Sequence, residues 1–95
     1  MPAIELAPDW VCEIVSPSTA RFDRTRKSRI YRRERVAHMW IVDPLARSLE
    51  VYRLGGGSWT VVDTYGDDAP DKIRAWPFEA VELEPARWWL PEEPA

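Results

Sequence analysis

The chain has 95 residues, enough for one domain and near the small end of what buries a self-sufficient core. Its 45% hydrophobic and 31% charged residues are those of a soluble globular protein. No stretch is long and apolar enough to span a bilayer, and MPAIELAPDW lacks the basic-then-apolar order of a secretory signal, so the expected compartment is the cytoplasm. The formal charge of −3 conceals a segregation: eight of the thirteen basic residues lie between Arg21 and Arg35, opposed there only by Asp23 and Glu34, whereas acids predominate from Asp63 onward. A basic segment of this density suits a polyanion, while the acidic remainder keeps the molecule in solution. Cys12 is the single cysteine, which excludes an internal disulfide and a cysteine-based zinc cluster and leaves a buried, reduced thiol as the expectation.

In chain order, Trp10 to Val15 (WVCEIV) is a short run of β-branched and aromatic residues closed by Ser16-Pro17-Ser18-Thr19, and it reads as a buried strand entering a turn. Glu13 is the anomaly inside it. From about Phe22 to Glu34 no proline or glycine interrupts a segment rich in arginine and lysine, good helix formers, with Phe22, Ile30 and Tyr31 as its apolar anchors. Ala37 to Val42 is a second buried strand ending at Asp43-Pro44. Ser48 to Leu54 alternates like a half-exposed strand, and Gly55-Gly56-Gly57 turns it into a hairpin with Ser58 to Tyr65. Ile73 to Trp76 and Ala80 to Leu83 are shorter strand-like pieces. Residues 1–90 are expected to form one domain and 91–95, rich in proline and glutamate, a poorly ordered tail. The order strand, helix, strand, strand, strand predicts an α/β (α+β) mixed sheet. Its first two strands are parallel neighbours joined by a right-handed crossover through the helix, and an antiparallel hairpin lies at the edge.

PDWVCEIVSPST, followed by Asp23, Lys27 and Tyr31 in a D-x-x-x-K-x-x-x-Y spacing and then by HMWIVDP, resembles the Uma-type restriction endonuclease family of the PD-(D/E)xK nuclease superfamily. The resemblance runs from Pro8 to about Leu83 and is most specific in the first half. It implies a restriction-endonuclease-like fold and Mg²⁺-dependent hydrolysis of DNA phosphodiesters, with Mn²⁺ as an alternative ion and RNA as an alternative target. Family members are about twice as long and place a further catalytic aspartate upstream, so the resemblance covers only their C-terminal half. A chain completed by a missing upstream half or by a homodimer, and a catalytically inactive nucleic-acid-binding remnant, are therefore expectations alongside the enzyme.

The resemblance carries the acid onto Glu13 and the lysine onto Lys27, because Val15 stands where the superfamily's usual E-x-K has its lysine. A carboxylate inside a strand is costly unless paired with a cation. A metal ion, Lys27, or an arginine of the following helix each satisfies Glu13. Asp9 is the other candidate metal ligand and catalytic acid. It shares a strand face with Glu13 but lies four residues away, ~13 Å at ~3.3 Å per residue. That is too far for one ion at the ~2.1 Å that Mg²⁺ requires unless a bulge intervenes. Asp23, Lys27 and Tyr31 fall on one helix face, where Asp23 positions Lys27 and Tyr31 packs with a polar tip. Arg21, Arg24, Arg26, Arg29, Arg32 and Arg33, with Arg35, are the expected phosphate contacts, although a solvated helix face accounts for such a run as well. His38 and Asp43 are read as structural, Trp10 and Trp40 as core, and Trp88 and Trp89 as an exposed patch.

Overall fold

A computed structural model of the chain describes residues 9–15 and 20–89, without the side chains of residues 20–23. The Ser16 to Ser18 turn, the side chains of Arg21 and Asp23, and the expected 91–95 tail lie outside the described residues. The order is β1 (Trp10–Ile14), α1 (Ala20–Arg33), β2 (His38–Asp43), β3 (Ser48–Gly55), β4 (Ser58–Tyr65) and a 3₁₀ turn over Pro85–Trp88. The strands form one sheet in the order β1-β2-β3-β4. β1 runs parallel to β2, and β2, β3 and β4 follow antiparallel. This is the mixed sheet that the strand–helix–strand–hairpin order predicts.

The connections after α1 have local causes. Helix α1 ends in a Schellman arrangement: Val36 N–H donates to the Tyr31 carbonyl at 3.0 Å and Arg35 N–H to the Arg32 carbonyl at 3.1 Å, with Arg35 left-handed at φ 60. The chain then drops Val36, 1% exposed, into the core. Between β2 and β3, Asp43 Oδ1 accepts the Ala46 N–H at 3.0 Å, the turn role expected of that aspartate. Gly56 and Gly57, both at positive φ, make the two-residue turn that joins β3 and β4 with the twist of the strands.

The period of two along the strands sorts the side chains into two clusters, one on each face of the sheet. Val15, Met39 and Ile41 are buried on the face that carries α1, with Val11, Tyr31, Tyr52 and Trp59 around them. Trp40, Val42, Leu49 and Val51 are buried on the opposite face beneath Ile73 and Ala75 of the C-terminal segment.

The structure corrects four expectations. β1 is not a buried strand: it is the sheet's first edge, and Cys12 on it is exposed, because the parallel crossover leaves nothing of the described chain beyond it. Ile73 to Trp76 and Ala80 to Leu83 form no strands, only a single antiparallel bridge between Ile73 and Leu83. That stretch uses its apolar side chains to roof the sheet rather than its backbone to extend it. Trp88 and Trp89 are partly buried against the same cluster, the two rings meeting edge to face at 6.0 Å, so they line the core's rim rather than an exposed patch.

Candidate active site

Alternation along β1 directs Glu13 toward α1, and the helical spacing of Lys27 and Tyr31 brings both to it from above. Lys27 Nζ lies 2.9 Å from Glu13 Oε2, and the Tyr31 hydroxyl donates to Glu13 Oε1. Both carboxylate oxygens are therefore engaged by residues 14 and 18 positions further along the chain. The Glu13 side chain is 18% exposed and that of Lys27 42%, so the carboxylate is shielded while the ammonium stands at the rim. Burial, then the hydrogen bond to Glu13 and its negative charge, push the Tyr31 phenol up to about 12. At neutral pH Tyr31 is thus a fixed donor, and Glu13 is held in one orientation at the edge of an apolar cluster.

A second cluster of the same composition lies two strands away. The pairings Glu13↔Ile41 and Ile41↔Glu50 put Glu50 in the same row of the sheet. Arg24 Nη2 meets Glu50 Oε1 at 2.9 Å, and the Tyr52 hydroxyl donates to Glu50 Oε2 at 3.1 Å. Burial, and then the Glu50 charge and hydrogen bond, raise the Tyr52 pKa, which the nearby Arg24 partly opposes. Trp59 Nε1 adds a third tie, donating to the Ser28 carbonyl of α1 at 3.0 Å. The sequence reading missed Glu50, Tyr52 and Trp59. The only trace of them in the sequence is the alternation of β3, which puts Glu50 and Tyr52 on one face.

The remaining predicted residues fall as follows. Asp9 is exposed and its carbonyl accepts the His38 N–H at 3.0 Å. Trp10 to Ile14 pair with His38 to Val42 in unbroken register, so no bulge shortens the ~13 Å from Asp9 to Glu13, and the two are not brought together. Arg24 is exposed and pairs with Glu50, and the exposed Arg33 has its Nε 3.7 Å from Glu34. Arg26, Arg29 and Arg32 are exposed. His38 Nδ1 accepts the Trp76 indole N–H at 3.1 Å, a structural role.

Of the side chains that meet here, only Glu13 carries a carboxylate, the ligand type that an oxygen-loving divalent cation takes. Among the described residues no group of three His, Cys, Asp or Glu side chains is placed to hold an ion. The donor chemistry fits Mg²⁺ in kind, since one or two carboxylates plus water and substrate oxygens are its usual complement, but the described set is incomplete.

Comparison with known proteins points to one family and to a solved structure of similar fold. The family model Uma2, described as "Putative restriction endonuclease", matches residues 2–84. A crystal structure of "a putative nuclease belonging to DUF820" from Anabaena variabilis is similar at 24% identity and a TM-score of 0.62, over 88% of this chain and 45% of that one. The chain thus spans less than half the length of that solved protein, and the likeness establishes a nuclease-like α+β fold. No curated protein matches.

Proposed function

The chain belongs to the Uma2 family, and from that premise we propose that it carries the acid and lysine of a metal-dependent endonuclease that hydrolyses DNA phosphodiester bonds. The observation that supports this most is the 2.9 Å contact between Glu13 and Lys27. Two residues singled out as the acid and the lysine of one centre, 14 positions apart, lie in contact where α1 packs on β1. In this reading Lys27 presents a positive charge to a non-bridging oxygen of the scissile phosphate, where charge grows in the transition state. Glu13 fixes that ammonium from behind, and Tyr31 fixes Glu13. Arg26, Arg29 and Arg32 hold the nucleic-acid backbone by sequence-independent, salt-sensitive contacts. Mg²⁺, or Mn²⁺, when bound at Glu13 supplies charge neutralisation and a more acidic water. Asp9 in this reading lies along the strand toward the substrate rather than on the same ion.

A second reading, a nucleic-acid-binding module without cleavage, draws on one specific observation: among the described residues no three His, Cys, Asp or Glu side chains are grouped to hold a metal ion. Supercoiled plasmid incubated at low salt with Mg²⁺ or Mn²⁺, beside a labelled RNA, separates the two. Cleavage that a chelator abolishes supports the enzyme and identifies its polymer. Salt-sensitive binding without cleavage supports the second reading, and neither binding nor cleavage overturns both.

A further inference from the structure

Helix α1 is tied to the sheet by two groups of the same make. In each, a cation on the helix meets a carboxylate on a strand, and the hydroxyl of a tyrosine packed on the apolar cluster donates to the carboxylate's other oxygen. One group is Lys27 with Glu13 and Tyr31, the other Arg24 with Glu50 and Tyr52. The first bears on the proposed chemistry, and the second has no part in it. Exposure runs the same way in both: the acid is the shielded partner, at 18% and 25%, and the cation the open one, at 42% and 41%. Each cation is thus fixed on its inner side and faces solvent on its outer side. A guanidinium presents five N–H donors in a rigid fork, and a carboxylate oxygen 2.9 Å from Nη2 occupies only part of it.

The spacing of the two cations bears on what they can hold. Arg24 and Lys27 are three residues apart on α1, so their stems start ~5–6 Å apart. The carboxylates that hold them start two strands apart in one row of the sheet, ~10 Å. The charged ends fall between these limits, a separation that suits neighbouring phosphates of one nucleic-acid strand and is too wide for two oxygens of one phosphate. Arg26, Arg29, Arg32 and Arg33 on the same helix leave positive charge in excess of Glu13 and Glu50, so an anion is drawn to the two cations although each is paired.

We propose that Glu50 and Tyr52 are positioning residues that hold Arg24 as a second phosphate contact beside Lys27, so that the two cations grip neighbouring phosphates of one strand. This rests on the nucleic-acid reading of the same site but not on cleavage. The advantage is preorganisation: an arginine side chain already held by Glu50 has less freedom to lose when a phosphate arrives.

Fluorescence anisotropy of a labelled DNA duplex, titrated with the protein at several salt concentrations, tests the proposal, with circular dichroism confirming that each variant is folded. The slope of log affinity against log salt counts the phosphates neutralised, about 0.9 for each on a duplex. Arg24→Gln should reduce the slope by about one unit, so that a fourfold rise in salt costs the native chain about fourfold more affinity than it costs the variant, and Arg24→Lys, which keeps a cation, should restore it. The double variant Arg24→Gln, Lys27→Gln should reduce it by about two units; a joint loss of only about one would mean a single shared phosphate and overturn the two-phosphate grip. Glu50→Gln separates positioning from charge by its sign. Removing an acid near a polyanion tightens binding by charge alone, whereas loss of the carboxylate that orders Arg24 should weaken it by roughly two- to tenfold, the cost of ordering one long side chain. Salt-sensitive native binding with an unchanged Arg24→Gln slope, or a Glu50→Gln variant that binds as tightly as the native chain or more so, would overturn this proposal alone. A folded native chain that binds neither the duplex nor a labelled RNA at low salt would overturn the nucleic-acid reading and the proposal with it.

Discussion

Replacing Glu13 by alanine removes the acceptor of Lys27 and of Tyr31 in one step, and its cost can be worked from the contacts. The Lys27 side chain is 42% exposed, so the ion pair is discounted for solvent to about 0.5 kcal/mol. The Tyr31 hydroxyl gives its proton to a charged, shielded acceptor, a bond that contributes about 1.5 kcal/mol. The sum, about 2 kcal/mol, corresponds in a domain of this size to a fall in Tm of roughly 8–16 °C. Glu13→Gln keeps the shape and an acceptor for Tyr31 but loses the charge, so its Tm should fall by less. The alanine variant also has a spectroscopic signature. With the hydrogen bond and the Glu13 charge gone, only burial still raises the Tyr31 phenol, and its ultraviolet titration should move down from about 12. A thermal midpoint within about 2 °C of the native protein, with an unchanged tyrosine titration, would refute the cluster as described.

Further expectations follow from the same contacts. The folded Tyr31 pKa lies above its unfolded value near 10, so its contribution to stability is complete below pH ~10 and is lost as pH rises toward 12. Denaturant titrations across that range should show stability falling, with a shallower slope in Tyr31→Phe; Tyr52 and Tyr65, shifted the same way, supply the remainder. Glu50→Gln should cost about 0.5–1 kcal/mol by urea titration, because it leaves the Arg24 end of α1 without its anchor on the sheet. Arg35→Gly should stabilise the protein by up to about 1 kcal/mol, since glycine accepts the left-handed conformation at the helix terminus without the arginine's strain. An Arg29→Ala, Arg32→Ala double variant should weaken DNA binding across sequences and reduce the slope of log affinity against log salt by about two units; an unchanged slope would remove these residues from the backbone contacts.

The elements were legible because periodicity and turn chemistry agree along most of the chain. The Gly55-Gly56-Gly57 turn and the apolar runs at Trp10 and Ala37 mark strands, and an uninterrupted Arg- and Lys-rich segment between the runs leaves only a crossover helix. The contact between Glu13 and Lys27 was legible through the family's spacing, which pairs an acid on the strand with a lysine on the helix. What escaped the sequence depends on long-range neighbours. Glu50 reads as the polar half of an alternating strand, and only the row Glu13, Ile41, Glu50 across three strands makes it a partner of α1. Cys12 was expected to be buried as a lone free cysteine in a strand read as buried, but burial of a strand is set by what lies beside it, and β1 is an edge of the described sheet. The strand-like pieces after Pro70 failed for a related reason: their hydrophobic side chains are needed over the sheet, and the prolines at 70, 77 and 85 break up any regular ladder.

Single-turnover cleavage of a labelled DNA duplex in Mg²⁺, comparing the native chain with folded Lys27→Ala and Glu13→Gln, tests the central claim most directly. The account expects native cleavage that both substitutions reduce by on the order of 10²-fold or more, with DNA binding retained. Cleavage by the native chain that survives both substitutions would contradict it and move the chemistry away from the junction of β1 and α1.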